Sequence, residues 1–255
     1  MGGGAKLFYM LSHYKNISKA VINDVNKDLI NCYKLIRNNP ATLIKLLQNI
    51  DKRYHKIDSV EYKTQFYYQM RDLYNSDEFS LDERAACFIF LNKTCFNGLY
   101  RVNTKGKFNV PFGKKFKINI CDEDLILKDH ELLKKVDIYS SDYSDMIDFL
   151  GEGYNFIYMD PPYRPLLGYP SFVEYSHKVF DDTEQKNLKT YCDFLSEIDC
   201  KIMQSNSNSI DIDGESFFHK LYNSYNIEKI QAHRFINAHV GKREKETELL
   251  NRNYR

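Results

Sequence analysis

Asp160-Pro161-Pro162-Tyr163 follows directly on the apolar run Asn155-Phe-Ile-Tyr-Met159, so a carboxylate, a stiff turn and an aromatic face come together at a strand end. That set suits methylation of the exocyclic amine of a nucleobase. Such an amine is a poor nucleophile because its lone pair is delocalised into the ring. If Asp160 and the carbonyl of Pro161 each accept one amino hydrogen, the nitrogen is drawn toward a tetrahedral shape and its lone pair is aimed at an incoming methyl group. Pro161 and Pro162 lock φ and remove two N–H groups, which stiffens the loop and keeps it out of a ladder or helix. Tyr163 offers a face on which the base can stack. An ordinary Pro-Pro turn after a strand is the bland alternative.

A carboxylate at a strand end needs a sheet around it. Ile17 to Asp24 reads as a β-branched strand, followed by a helix from Asn26 to Arg37 and, opened by Pro40, a second from Ala41 to Ile50. Further helices are expected at Glu61 to Tyr74 and Leu81 to Phe96, and a hairpin from Asn97 to Phe116 on its Asn-Gly and Lys-Gly pairs. Strands Val136 to Ser140, Asn155 to Met159 and Cys200 to Gln204 alternate with helices Asp142 to Leu150 and Thr183 to Ile198, the rhythm of an open parallel sheet. The tail adds a helix at Glu215 to Asn223 and strands Asn226 to Phe235 and Glu246 to Asn253.

The expected fold is therefore α/β, a three-layer sheet domain interrupted by a mostly helical insertion. In domain terms, residues 1–40 and 131–255 form the catalytic domain and 41–130 an inserted subdomain. With 255 residues the chain can bury a full core. In such sheets ligands bind beyond the carboxyl ends of the strands. Gly2-Gly3-Gly4 could be the turn that lets backbone approach a cofactor, although glycines after a Met also serve as a flexible leader. Asp24 falls about twenty residues later at a strand end, where a carboxylate can accept from ribose hydroxyls. Asp142 could accept from an adenine amino group or simply cap a helix, and one residue can do both.

Net charge is +1, with 36 Lys plus Arg against 35 Asp plus Glu, so a nucleic-acid partner must be held locally. One stretch qualifies. From Asn92 to Asn119 stand Lys93, Arg101, Lys105, Lys107, Lys114, Lys115 and Lys117 without a single Asp or Glu. The six cysteines are scattered without a Cys-x-x-Cys, and no His cluster has metal spacing. No metal is expected. A signal peptide and a membrane-length apolar run are both lacking, so the expected location is cytoplasmic.

In their order, glycine turn, Asp24, basic hairpin and Asp160-Pro161-Pro162-Tyr163 resemble the Dam-type DNA adenine-N6 methyltransferases, the group whose recognition domain lies between cofactor and catalytic motifs. The likeness includes Ala20-Val-Ile-Asn-Asp24-Val-Asn26, Asn92-Lys-Thr-Cys-Phe-Asn-Gly-Leu-Tyr-Arg-Val-Asn103 and Phe108-Asn-Val-Pro-Phe-Gly113. It continues through Asp160-Pro-Pro-Tyr-Arg-Pro-Leu166, Ser205-Asn-Ser207, Arg234-Phe-Ile-Asn-Ala238 and Glu248-Leu-Leu-Asn-Arg-Asn-Tyr254.

The resemblance implies a Rossmann-like methyltransferase fold and S-adenosylmethionine as cofactor. It places Gly2, Gly3, Gly4 and Asp24 around the cofactor, Asp24 on the ribose and Asp142 near the adenine. Asp160 would serve both the methionine end and the target amine. The implied substrate is adenine in duplex DNA, usually within GATC, flipped from the stack at a cost of a few kcal/mol. Asn92, Phe96, Asn97, Gly98, Leu99, Arg101, Asn103 and Pro111 would contact DNA, with an apolar wedge at the hairpin and Arg101 bidentate on a guanine edge. A monomer is implied, working alone or beside a cognate restriction endonuclease. Amino-cytosine enzymes of this class usually begin the tetrad with Ser, so Asp160 argues for adenine.

One departure stands out. Members of the group carry a Trp and a Gly-Gly-Lys before the glycine turn, whereas this chain contains no Trp and nothing precedes Met1. The expectation is an upstream true start or, as the alternative reading, a truncated paralogue that binds DNA without catalysis.

Overall fold

A computed structural model describes residues 2–76, 78–166, 180–211, 213–233 and 245–255. The chain divides into two compact units, Met1–Met146 and Ile147–Arg255.

In the first unit, strand β1 (Ala20–Asn23) runs parallel to β2 (Val136–Tyr139), with Ala20 opposite Val136 and Asn23 opposite Tyr139. Helix α1 (Ala5–His13) lays Leu11 onto this pair, where Ile22, Ile30, Tyr33, Leu133, Val136 and Ile138 complete a core. Sequence periodicity had assigned nothing to α1, although Leu7, Phe8 and Leu11 share a helical face. Helix α2 (Lys27–Asn38) starts where the Asn26 side chain accepts from the N–H groups of Asp28 and Leu29, each at 3.1 Å. One of its faces gives Ile30 and Tyr33 to the sheet core. The other gives Cys32 and Leu35 to a second, helical core.

That second core is built by α3 (Pro40–His55), α4 (Val60–Tyr74) and α5 (Leu81–Thr94). Each start is written in the sequence: Asn39 caps α3 ahead of Pro40, Ser59 caps α4, and Ser80 with Glu83 forms a reciprocal capping box on α5. Tyr54, Phe66 and Phe90 meet edge to face with centroids 5.7 Å apart for both Phe90 pairs. Arg84 ties three helices by donating to both Asp28 oxygens, at 2.6 and 2.9 Å, and to the Tyr74 carbonyl at 2.8 Å. Helix α6 (Glu123–Leu133), capped by Asp122, leads back to β2; it was not expected from the sequence.

Between α5 and α6 the expected hairpin is present in reduced form, as a loop with short antiparallel pairing. Described residues there form two isolated antiparallel bridges, Cys95 with Phe112 and Val102 with Phe108, and a short 3-10 turn, Phe96–Gly98. Backbone bonds from the Asn103 N–H to the Lys107 carbonyl at 2.9 Å and from the Asn109 N–H to the Arg101 carbonyl at 3.1 Å close the second bridge, and helix side chains bind the backbone groups that face away from it. Asn75 donates to the Phe108 carbonyl at 3.0 Å and accepts from the Phe108 N–H at 2.9 Å, and Tyr67 donates to the Val110 carbonyl at 2.8 Å. Left-handed backbone at Asn97, Gly98, Gly106 and Lys114 also breaks any extended run.

In the second unit, β3 (Phe156–Met159) runs parallel to β4 (Lys201–Ser207), and the sheet order is β3-β4-β6-β5. Here β6 (Lys245–Arg252) lies antiparallel to both β4 and β5 (Asn226–His233). The sheet is thus mixed rather than uniformly parallel, because alternation marks a strand without marking its direction. Helix α7 (Asp182–Glu197), capped by Asp181, buries Leu188, Cys192 and Leu195. The short helix α8 (Phe217–Leu221) packs Phe217 and Phe218 with Tyr222 and Leu249. The segment expected as an α-helix from Asp142 is a 3-10 helix, Tyr143–Phe149. Asp142 Oδ1 accepts from both the N–H and the hydroxyl of Ser144, at 3.1 and 2.8 Å, which tightens the first turn. No helix among the described residues is long and apolar enough to cross a membrane.

Candidate functional site

At the carboxyl end of β1 the glycine turn and Asp24 come together. Gly2 and Gly4 have φ of 57° and 72°, and Gly4 is the left-handed residue from which α1 starts. Asp24 Oδ2 accepts from the Gly2 N–H at 3.3 Å, while its Oδ1 accepts from the Asn26 N–H at 2.9 Å. Tyr33 closes the turn by donating its hydroxyl to the Gly2 carbonyl at 2.8 Å. Burial pushes the Tyr33 pKa up, so it remains a donor. A Cβ placed on Gly2 or Gly3 would meet nothing within 4 Å, so these residues leave open space beside the carboxylate.

Asp142 sits beside that turn because of a residue that sequence reasoning passed over. The Asn23 side chain donates to the Ser141 carbonyl and accepts from the Ser141 N–H, both at 2.9 Å. This two-way clamp holds the ends of β1 and β2 together, which brings Asp24 and Asp142 to the same edge. Asp142 serves as the local turn cap at the same time.

In the second unit Asp160 is exposed at the end of β3. Its Oδ1 accepts from the Ser205 hydroxyl at 2.9 Å. No described residue donates to Oδ2 or to the Pro161 carbonyl. The neighbouring Pro162 carbonyl, by contrast, is held by Gln185 Nε2 at 3.0 Å. Tyr163 is half-buried and donates to Glu248 Oε2 at 3.2 Å, which fixes its ring; burial raises its pKa, with the Asp160 and Glu248 carboxylates adding to the effect.

The loop is latched just beyond the tetrad. Arg164 donates from Nε and Nη2 to the two oxygens of Asp182, at 2.7 and 3.0 Å, and Nη2 also pairs with Asp211 at 2.9 Å. Its guanidinium stacks over Phe217 with 4.2 Å to the centroid. Its own N–H donates to Asn206 Oδ1 at 3.0 Å, and Asn206 in turn donates to Gln185. Arg164, Gln185, Ser205 and Asn206 were not singled out individually from the sequence. The first clue was the Ser205-Asn-Ser207 triplet at a strand end.

The basic loop gathers the remaining candidates in the first unit. Phe96 is exposed and Leu99 half-buried, flanking left-handed Asn97 and Gly98. Arg101 donates Nε to Asn109 Oδ1 at 2.7 Å, and no described residue accepts from its two terminal nitrogens. Two candidates hold the loop together: Asn103 Oδ1 accepts from the N–H groups of Lys105 and Lys107, and the exposed Pro111 gives its carbonyl to the Phe96 N–H; Asn92 instead donates back within α5 to the Phe88 carbonyl. Lys93 and Lys115 spend their ammonium groups on the carbonyls of Asn119 and Lys93. Gly113 was missed as a constraint: a Cβ there would lie 2.4 Å from the Cys95 carbonyl oxygen. The Arg234-Phe-Ile-Asn-Ala238 motif lies outside the described residues.

Residues 1–236 match the profile of the D12 class N6 adenine-specific DNA methyltransferases. The type II methyltransferase M.MjaIII of Methanocaldococcus jannaschii is 42% identical over 257 residues, covering 100% of this chain and 86% of that protein. The type II methyltransferase M1.LlaDCHI of Lactococcus lactis subsp. cremoris is 38% identical, covering 100% of this chain and 84% of that protein. The DNA adenine methylase of Escherichia coli strain K12 is 26% identical, over 92% of this chain and 79% of that protein.

Proposed function

The chain belongs to the D12 class of N6 adenine-specific DNA methyltransferases, and on that premise we propose that it transfers the methyl group of S-adenosylmethionine to adenine within GATC in duplex DNA. Methyl transfer to adenine of DNA is the activity of the family; the donor, the site and the residue roles are our reading. The observation that carries it is the Asp160 loop, where Oδ2 of a carboxylate tethered through Oδ1 and the Pro161 carbonyl stand as two acceptors without donors among the described residues.

S-adenosylmethionine, when bound, supplies a methyl group made electrophilic by its sulfonium. The donor set fits this cofactor: Gly2 and Gly3 leave room for close approach, Asp24 can accept from ribose hydroxyls, and Asp142 from the adenine amine. Asp160 serves the methionine end as well as the amine. For the substrate, Asp160 Oδ2 and the Pro161 carbonyl each accept one hydrogen of the N6 amine, orienting its lone pair. Pro162 keeps that carbonyl in place, and Tyr163, anchored at Glu248, provides the stacking face.

Residues 1–40 and 131–255 form the catalytic domain in this reading, and 41–130 the recognition subdomain. The Phe96 and Leu99 tip, with Arg101 and the exposed lysines, supports it as the part that enters DNA. The chain acts as a monomer in this reading, alone or beside a cognate restriction endonuclease. The GATC site rests on the likeness of the loop motif Asn92 to Asn103 to the Dam-type group. The reading as a DNA binder without catalysis has no observation in its favour.

The test is transfer of labelled methyl to a GATC duplex and to duplexes altered at each base, with digestion to nucleosides to identify N6-methyladenine. Asp160→Ala should abolish transfer while sparing DNA affinity. Turnover within about tenfold of the parent would remove Asp160 from the chemistry.

A further inference from the structure

We propose that Ser205 and Tyr158 are positioning residues that decide which oxygen of Asp160 is offered to the target amine; this rests on the role given to Asp160 above. The parallel pairing of β3 with β4 ends at Met159 opposite Gln204, so Ser205 is one step further, level with Asp160. Tyr158 and Asp160 are two residues apart in an extended chain and therefore share a face. Ser205 is 1% exposed, and its Oγ lies 2.9 Å from Asp160 Oδ1 and 2.7 Å from the Tyr158 hydroxyl.

Proton counting orders these three groups. An ionised carboxylate only accepts, so the single proton of Ser205 goes to Asp160. Two weaker acceptors face the same Oγ, the Met159 carbonyl at 3.5 Å and the neutral phenol oxygen of Tyr163, and neither competes with a carboxylate for the proton. Tyr158 must then be the donor to Ser205. The result is a directed chain, Tyr158 O–H to Ser205 O–H to Asp160 Oδ1.

The chain has a functional consequence. The terminal torsion of an aspartate is soft and roughly two-fold, so an untethered carboxylate samples many orientations. A donor on Oδ1 removes that freedom and leaves Oδ2, which no described residue engages, as the oxygen presented outward. Tyr158 acts one bond further back by fixing the direction of the Ser205 hydroxyl. Neither side chain touches substrate in this arrangement.

The experiment is steady-state kinetics of the full chain with S-adenosylmethionine and unmethylated phage DNA, so that it does not depend on the GATC assignment. Ser205→Ala is expected to lower kcat on the order of 10- to 100-fold, as a misplacement of about 1 Å can, with KM for DNA and donor within about twofold. Tyr158→Phe should give a smaller fall of the same kind. The double variant should be no slower than Ser205→Ala, because the tyrosine acts only through the serine. Ser205→Thr, which restores the hydroxyl, should recover most of the rate.

A kcat for Ser205→Ala within about twofold of the parent, or above it, overturns the proposal, since the hydroxyl would then be passive or only weaken the carboxylate. Additive effects in the double variant overturn it likewise. Where Ser205→Ala does not fold, Tyr158→Phe decides: an unchanged kcat rejects the chain. Asp160→Ala is the control. If it keeps the parental rate, the assignment of Asp160 itself has failed; if it is inactive while the other variants are parental, only the positioning role has.

Discussion

Gly2 donates its backbone N–H to Asp24 Oδ2 at 3.3 Å across 22 residues of sequence, so the glycine turn and the carboxylate at the end of β1 are one unit. The same carboxylate orders the entrance to α2 by accepting from the Asn26 N–H. Removing it therefore disturbs two backbone segments at once. Asp24→Ala should weaken binding of S-adenosylmethionine by about 1.5–3 kcal/mol, the worth of hydrogen bonds to a charged group, while Tyr33→Phe should cost about 0.5–1.5 kcal/mol. Equilibrium binding of labelled donor measures both, and parental affinity in Asp24→Ala would remove it from the donor site.

Arg164 and Asp182 give a pH dependence with a defined sign. The guanidinium, donating to both carboxylate oxygens, holds the Asp182 pKa below its usual value of 3.8. The pair therefore stabilises the fold fully above that usual value, and the contribution is lost as acidification protonates Asp182. Asp182→Asn should lower the urea midpoint at neutral pH, and its deficit should shrink at about pH 3. An equal deficit at both pH values would show that the carboxylate's charge plays no part.

Arg101 is held by one nitrogen and has two to spare. With Nε committed to Asn109, its terminal nitrogens are left as the fork that, in the function proposed above, would pair with the O6 and N7 of guanine. Arg101→Ala should reduce discrimination between GATC and a duplex altered at its guanine by about 1–3 kcal/mol, measured as the ratio of kcat/KM values. If both duplexes lose equally, the arginine contacts phosphate instead.

Gly113 tests the loop as a packed object. Its N–H donates to the Thr94 carbonyl at 2.9 Å, and an added methyl would lie 2.4 Å from the Cys95 carbonyl oxygen. Backbone, unlike a flexible side chain, cannot swing aside. Gly113→Ala should cost about 1–3 kcal/mol of stability, read from thermal or urea unfolding, and should weaken DNA binding through the displaced loop. A parental melting temperature would mean that the Gly113 and Cys95 segments separate at little cost.

Sequence by itself determined the starts of the main helices and put the candidate residues of the site at strand ends. Asp160 to Tyr163 at a strand end, Asp24 after β1, and the helices α2, α3, α4, α5 and α7 depend on neighbours within a few positions, where caps and prolines act. Tertiary structure decided what those residues face. Asn23 binds Ser141, Asn75 binds the backbone of Phe108, Gly113 makes room for Cys95, and Ser205 binds one oxygen of Asp160. Strand direction in β5 and β6 and the irregular basic loop belong with them. In each case a donor or acceptor is satisfied across a long stretch of chain, and a local pattern of residue types carries no record of which distant group will arrive.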